Sequence, residues 1–289
     1  MQPSIASPTA PPLPQRRPRI KPGVLAAYVI LVLLGLFFVL PFTWLISASF
    51  TPNATLGTVL PTGLTLDNFR SILTSGLVTQ PLVNSLILAI STMLLTILFA
   101  GLAAYPLSRY PFHGKRLLMY VVLFASGLPI LSLVTPLYAM YVSLSLVDTV
   151  TGVILFLVAS ALPFNIWLMK NFLDSVPVDL EEAAWVDGCS VLGSFVRVVL
   201  PLSAPGIAVV GVLSFLGAYT NFFVPFIIYT SSDHATMSMQ LYSFFGAYGQ
   251  VSYGQIAAFA MLYALPAVAL YMFVSRFFVR GVNVGGLRG

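Results

Sequence analysis

Charge is what this sequence has least of. Only 7% of its 289 residues are Asp, Glu, Lys or Arg, while 58% are hydrophobic, and the mean hydropathy is +0.97. Soluble domains carry about a quarter charged residues, so a water-exposed globule is excluded. Cysteine is nearly absent too. The lone Cys189 leaves no internal disulfide and no cysteine-rich metal site. The two histidines, His113 and His234, lie far apart in the chain, which argues against a histidine zinc site. No phosphate-cradling G-x-x-x-x-G-K-[ST] occurs. Gly114-Lys115 is the one Gly-Lys pair, and Arg109 stands where the first glycine belongs. The chain therefore cannot hydrolyse ATP by a P-loop. Its net charge of +5 does not signal nucleic acid either, because the basic residues scatter along membrane-flanking segments.

What fills the chain is long apolar runs. A membrane span needs about 20 apolar residues. Six stretches meet that need: Val24–Phe50, Pro81–Ser108, Leu117–Leu144, Thr149–Met169, Leu202–Tyr229 and Ile256–Phe278. Six spans put 12 of the 13 basic residues on one side, with Arg70 alone on the other. By the positive-inside rule that side is the cytosol, with both termini and the loop after span four on it. The expected organisation is a disordered Pro- and Arg-rich tail over 1–22, a transmembrane domain over 23–280, and a short tail over 281–289. A twin-Arg signal peptide is the competing reading of the N-terminus. The apolar run that follows is too long for one and lacks a clean small-residue cleavage site. Outside the spans, a short helix is expected to open at Asp67, and residues 231–253 read as an interfacial or re-entrant piece.

One stretch breaks the charge famine. Residues 174–205 carry five of the eight acidic residues: Asp174, Asp179, Glu181, Glu182 and Asp187. Pro177 suits a helix start, where its missing N–H is no loss. The early carboxylates suit the positive end of the helix dipole. Ala183 and Ala184 favour helix. Gly188 fits a left-handed C-terminal cap. Ser190 can cap a second helix that runs to a break before Pro201. The expected shape is a short surface helix, a glycine corner, and a second helix returning to the membrane. A solvated acidic helix without a partner is the plain alternative.

These residues resemble a known motif. Glu182-Ala183-Ala184, Gly188, and then Val198-Val199-Leu200-Pro201 after nine intervening residues resemble the EAA loop of binding-protein-dependent ABC importer permeases. The usual pattern has Ile where Val198 stands. Asn84-Ser85, Ala104-Tyr105-Pro106-Leu107-Ser108-Arg109, Pro136-Leu137-Tyr138, Pro163-Phe164, Ile166-Trp167-Leu168 and Phe278-Val279-Arg280-Gly281 are similar to the carbohydrate branch, specifically its maltose-type second permease. The branch departs at span five, where Tyr219-Thr220-Asn221 replaces Trp-Asn-Glu or Trp-Asn-Asp. The resemblance covers about residues 25–289. It implies an all-α, six-span membrane protein of the type I importer kind in the bacterial or archaeal cytoplasmic membrane. The implied partners are a second related permease, two ATP-binding subunits that hold ATP and Mg, and an extracytoplasmic solute-binding protein. The chain would bind no cofactor and catalyse nothing itself. In that frame Glu181, Glu182, Ala183, Ala184, Asp187, Gly188 and Pro201 would couple ATPase motion to the spans, with Glu181 and Glu182 pairing to basic residues of the ATPase.

The spans carry little else for chemistry. Every charged residue can be placed outside them, with Arg276, two residues from the end of the sixth stretch, at its cytosolic edge, which argues against proton or ion coupling within this chain. Asn84, Ser85, Asn165, Tyr219, Thr220 and Asn221 could line a solute route, with Trp167 as a stacking face. Such neutral groups suit a sugar, but each could equally serve helix–helix hydrogen bonding. An importer of glycerol phosphate or polyamine is the second reading. An intramembrane enzyme and a pure assembly factor are more distant ones. Pro41, Pro106, Pro129, Pro136, Pro163, Pro205, Pro225 and Pro266 are candidate kink sites.

Overall fold

A computed structural model describes residues 22–57, 63–127, 129–246 and 251–285. The described residues are overwhelmingly helical, with no strand among them. Most of the proposed tails, 1–21 and 286–289, and residues 247–250 of the outer segment lie outside the described residues. The chain divides into two units, residues 1–44 and 45–289.

The first unit is carried by helix α1 (Pro22–Ser49), which crosses the boundary. It is apolar on every face, and from Tyr28 to Phe42 its large side chains are all exposed. A helix with no polar face has no side suited to water, which fits a span in hydrocarbon.

The second unit contains α2 (Asp67–Thr74), α3 (Thr79–Arg109), α4 (Lys115–Ala125), α5 (Ile130–Ser143), α6 (Val150–Asp174), α7 (Val178–Val186), α8 (Val191–Leu202), α9 (Ala204–Tyr219), α10 (Phe223–Ile228), α11 (Met237–Gly246) and α12 (Tyr253–Gly285). Its centre is the packing of α3, α6 and α9. Helix α3 explains why these three approach closely. Its buried residues include Ser85, Ala89, Thr92, Thr96, Ala100 and Ala104, a run of small side chains at three- and four-residue spacing. Small residues let backbones meet where lipid offers no hydrophobic drive for association. Gly206 of α9 extends the same logic, since a Cβ there would stand 2.3 Å from the Phe172 ring of α6. A core of Leu88, Val153, Leu157, Phe215, Tyr219 and Ile228 fills one end of the bundle. Met169, Leu173, Phe195, Val199 and Val210 fill the other. A third cluster, with Ile72, Met237, Phe244 and Phe259, seats α2 and α11 on α12.

Not every one of the six expected spans is a single continuous helix. Four helices are long and apolar enough to cross, and α8 with α9 makes a fifth only as a pair bent by 77°. Expected span three, Leu117–Leu144, is two helices of 11 and 14 residues. The amides of Ser126 and Gly127 close α4 on Leu123 and Phe124, and Pro129 takes the cap position of α5. Proline has no N–H to continue the ladder and crowds the residue before it. Expected span five, Leu202–Tyr229, is helical from Ala204 to Tyr219 and again in α10, with a break between them at Asn221, whose Oδ1 accepts the Val224 amide. Pro205 forces the bend at Ser203 by the same physics. Pro41, Pro106, Pro136, Pro163 and Pro266 stay inside helices. A proline alone therefore did not mark a break here. The final helix also runs on to Gly285, past residue 280.

The expected helix at Asp67 is α2. The outer segment holds a short turn at Ser232–His234 followed by α11. Asp148, in the loop before α6, ties this side together by accepting the amides of Thr230 and Ser231 at 2.9 and 3.1 Å. Those donors hold its carboxyl below the usual aspartate range.

Candidate functional site: an acidic helix latched from behind

The loop after α6 folds as its local signals dictate. Pro177 occupies the cap position before α7, and Asp179 and Glu181 fall in the first turn. Gly188 ends the helix at φ +88°. Its amide reaches Trp185 O, and the Cys189 amide reaches Ala184 O at 2.9 Å. That pair of bonds is a Schellman motif, which requires a residue tolerant of the left-handed region at Gly188. Ser190 Oγ accepts the Gly193 amide and starts α8. Trp185 Nε1 donates to Ser194 Oγ at 2.8 Å, fastening α7 to α8.

Helix α8 does not break before Pro201. It widens over Phe195–Val199, where the Leu200 amide reaches back five residues to Phe195 O, and continues through Pro201 to Leu202. A widened turn gives a proline ring room that a regular turn lacks.

The structure corrects one role assigned to the acidic residues. Glu181 is not presented outward. Its side chain is fully buried, and Oε2 lies 2.7 Å from Arg109 Nε while Oε1 accepts the Tyr105 hydroxyl. The same guanidinium donates to Leu173 O at 3.1 Å and Val176 O at 3.3 Å. One arginine at the end of α3 thus bonds the end of α6 and neutralises Glu181 of α7. The C-terminal carbonyls of a helix otherwise lack partners and attract cations. Ser108 Oγ donates to Asp174 Oδ1 at 2.6 Å, and Lys170 pairs with the other oxygen of Asp174. A buried carboxylate needs such partners, because removing it from water unpaired is costly.

With Glu181 and Ala184 turned inward, the outward face of α7 is Asp179, Glu182, Ala183, Val186 and Asp187. These positions follow the three- and four-residue spacing of a single helical stripe. Val186 is 89% exposed, and Leu180 and Trp185 beside the stripe are also exposed. Apolar side chains interleaved with carboxylates, on a helix locked from behind, form a surface able to dock a partner.

The expected solute residues divide into separate places. Asn165 and Asn221 line one cavity of about 290 Å³ between α3, α6 and α9. Thr92, Ser160, Phe164 and Ser214 line it with them. Sequence reading missed these four, since Ser, Thr and Phe in apolar helices are common and carry no local signal of facing a cavity. The hydroxyls of Thr92 and Ser214 and the Oδ1 of Asn165 are buried and have no hydrogen-bond partner among the described residues. The cavity lies near mid-height of α3 and α6, and no charged side chain lines it. The other candidates are committed elsewhere. Asn84 donates to the carbonyls of Asp233 and Ala235, and Ser85 accepts the Met237 amide, so both tether the outer segment. Tyr219 is buried and donates to Tyr263 O at 2.9 Å. Thr220 bonds back to Leu216 O. Trp167 lines a different cavity, nearer the end of α6 that carries Lys170.

Residues 96–284 match the family described as the inner membrane component of binding-protein-dependent transport systems. The chain belongs to that family. The inner membrane component is similar along most of its length to three curated sugar permeases. It is 34% identical over 258 residues to the arabinooligosaccharides permease AraQ of Halalkalibacterium halodurans, covering 87% of this chain and 91% of the relative. It is 31% identical to the trehalose permease SugB of Mycobacterium tuberculosis, covering 88% and 93%. It is also 31% identical to the trehalose/maltose permease MalG of Thermococcus litoralis, covering 89% and 94%. Among solved structures, a bacterial ABC transporter that imports alginate superposes with a TM-score of 0.77 at 18% identity, over 91% of this chain and 100% of that one. The fold is thus the type I ABC importer permease fold, in a multi-pass membrane protein.

Proposed function

We propose that this inner membrane component is the permease subunit of an ATP-driven sugar importer, forming half of the translocation pathway. The outward stripe of α7 carries the reading: it is a charged and apolar face with its back latched to α3. An ATPase partner would grip Glu182, Ala183, Asp187 and Val186, with Glu182 and Asp187 paired to its Arg or Lys residues. Closure of the ATPase on ATP would move α7. Gly188 and the Trp185–Ser194 bond would pass that motion to α8 and, through Pro201, to α9. ATP and Mg would sit on two such partner subunits. A second, related permease would complete the pathway, and a solute-binding protein would deliver sugar from outside.

A sugar is supported by the names of the relatives and by the cavity chemistry. The cavity lining, with Thr92, Ser160, Asn165, Ser214 and Asn221, is neutral and at mid-depth, suited to hydroxyls and unsuited to an anion. In the reassembled transporter in liposomes, Asn165→Leu and Ser214→Val should each cut uptake at sub-saturating sugar by about tenfold, the worth of one good hydrogen bond. Unchanged uptake in both would remove the cavity from the pathway.

Basic-residue asymmetry supports cytosolic termini and a cytosolic α7. A cysteine placed at Glu182, in a chain with Cys189→Ser, should react with an impermeant maleimide in inside-out vesicles and stay unlabelled in whole cells. Labelling from the outside alone would invert the topology.

A further inference from the structure

A cavity of about 580 Å³ shares no lining residue with the α7 surface or the mid-depth pocket. It opens between the start of α4 and the end of α6. Lys115 and Arg116 enter it from the first turn of α4, and Trp167 and Lys170 enter it from α6. Met119 and Tyr120 continue its wall along α4. We infer that this cavity binds the headgroup of an anionic phospholipid. The inference rests on the membrane-spanning fold and does not depend on what solute is carried.

Three observations support it. The first is charge. Lys115, Arg116 and Lys170 converge on one cavity with no acidic residue in its lining. Lys170 is held by Asp174 at the edge, and Lys115 makes only a 3.4 Å contact with Tyr110 O. Arg116 is exposed and shows no hydrogen bond or ion pair to the described residues. The backbone amides at the start of α4 add to the positive field.

The second is that the cavity is not purely polar. Beyond the cations its wall is Met119, Tyr120 and Leu123, and on the adjacent flank of α4 Val121 is 58% exposed and Phe124 79%. A soluble anion has no use for that flank. A phospholipid with its phosphate at Lys115 and Arg116 would lay its acyl chains along it.

The third is Trp167. A partly buried indole between cations and bare apolar helix marks the depth where headgroups sit. Basic pockets between spans at that depth are the expected form of lipid headgroup sites. Positive-inside orientation puts this one in the inner leaflet.

Trp167 supplies the test. The chain has three tryptophans, at 44, 167 and 185, and Trp44→Phe with Trp185→Phe leaves Trp167 as the only reporter. The full chain is placed in nanodiscs with brominated phosphatidylglycerol or brominated phosphatidylcholine at equal mole fraction. Quenching of Trp167 should be several-fold stronger with the anionic lipid, since each cation near the surface favours it by about fivefold. In Lys115→Gln/Arg116→Gln the difference should vanish. Should that pair fail to insert, Arg116→Gln alone, at an exposed position, should shrink the difference. Equal quenching by the two lipids overturns the inference. So does a preference that survives loss of both cations, or one abolished by soluble glycerol phosphate, which would reveal a free-anion site.

Discussion

Arg109→Gln should be the most damaging single substitution in the coupling region. It strands the fully buried Glu181 carboxylate and takes the guanidinium from Val176 O and from Leu173 O, which keeps the Val176 amide. Removing one partner of a buried ion pair costs about 3–5 kcal/mol, most of it the penalty of the charge left behind. The solubilised protein should show a markedly lower thermal midpoint by fluorescence-detected gel filtration. The instructive companion is Arg109→Leu with Glu181→Leu. Replacing both ends with apolar groups removes the stranded charge, and buried pairs often exchange for hydrophobes at little net cost. Stability should return in the double variant. Uptake should not, because the three-way tie among α3, α6 and α7 would still be missing. An unchanged midpoint in Arg109→Gln would mean that the pair does not hold α7. Restored uptake in the double variant would mean that charge pairing plays no part in coupling.

Gly188→Pro should abolish uptake while leaving the chain in the membrane. Proline is fixed near φ −65° and has no N–H, whereas Gly188 stands at +88° and donates to Trp185 O. The corner between α7 and α8 cannot form, so motion gripped at Glu182 has no rigid path to α9. Two milder variants separate backbone from bulk. No atom lies within 4 Å of a Cβ built at Gly188, so Gly188→Ala meets only left-handed strain of about 1–2 kcal/mol and should keep part of the uptake. Gly188→Asn, which tolerates that conformation better, should keep more. Full uptake by Gly188→Pro would end the reading of α7 as the handle of a separate motor.

Much of this site was readable before any coordinates. The corner at Gly188, the cap at Ser190 and the start of α2 at Asp67 depend on a few consecutive residues, and each formed where expected. The face of α7 was not readable that way. Glu181 and Glu182 are adjacent and chemically alike, yet one is sealed against Arg109 and the other faces out. A helical projection was the available clue, since Asp179, Glu182, Ala183, Val186 and Asp187 share a stripe that omits Glu181. What the projection cannot supply is the cation that makes burial of Glu181 tolerable, 72 residues earlier in the chain. Two of the solute candidates are held elsewhere for a related reason, while Asn165 and Asn221 line the mid-depth cavity. Asn84 and Tyr219 looked free in an apolar helix, but carbonyls of the outer segment and of α12 claim them.

Sequence by itself determined membrane residence, helical class, the family motif and the shape of the glycine corner. Composition decides which solvent a chain can tolerate, and caps and turns are settled by neighbours along the backbone. Tertiary structure alone decided which acid is the latch and which is offered, which hydroxyls share the mid-depth cavity, and that the third run is two helices where one was expected. Those outcomes depend on partners far apart in the chain, and in low dielectric a buried polar group goes where its partner is.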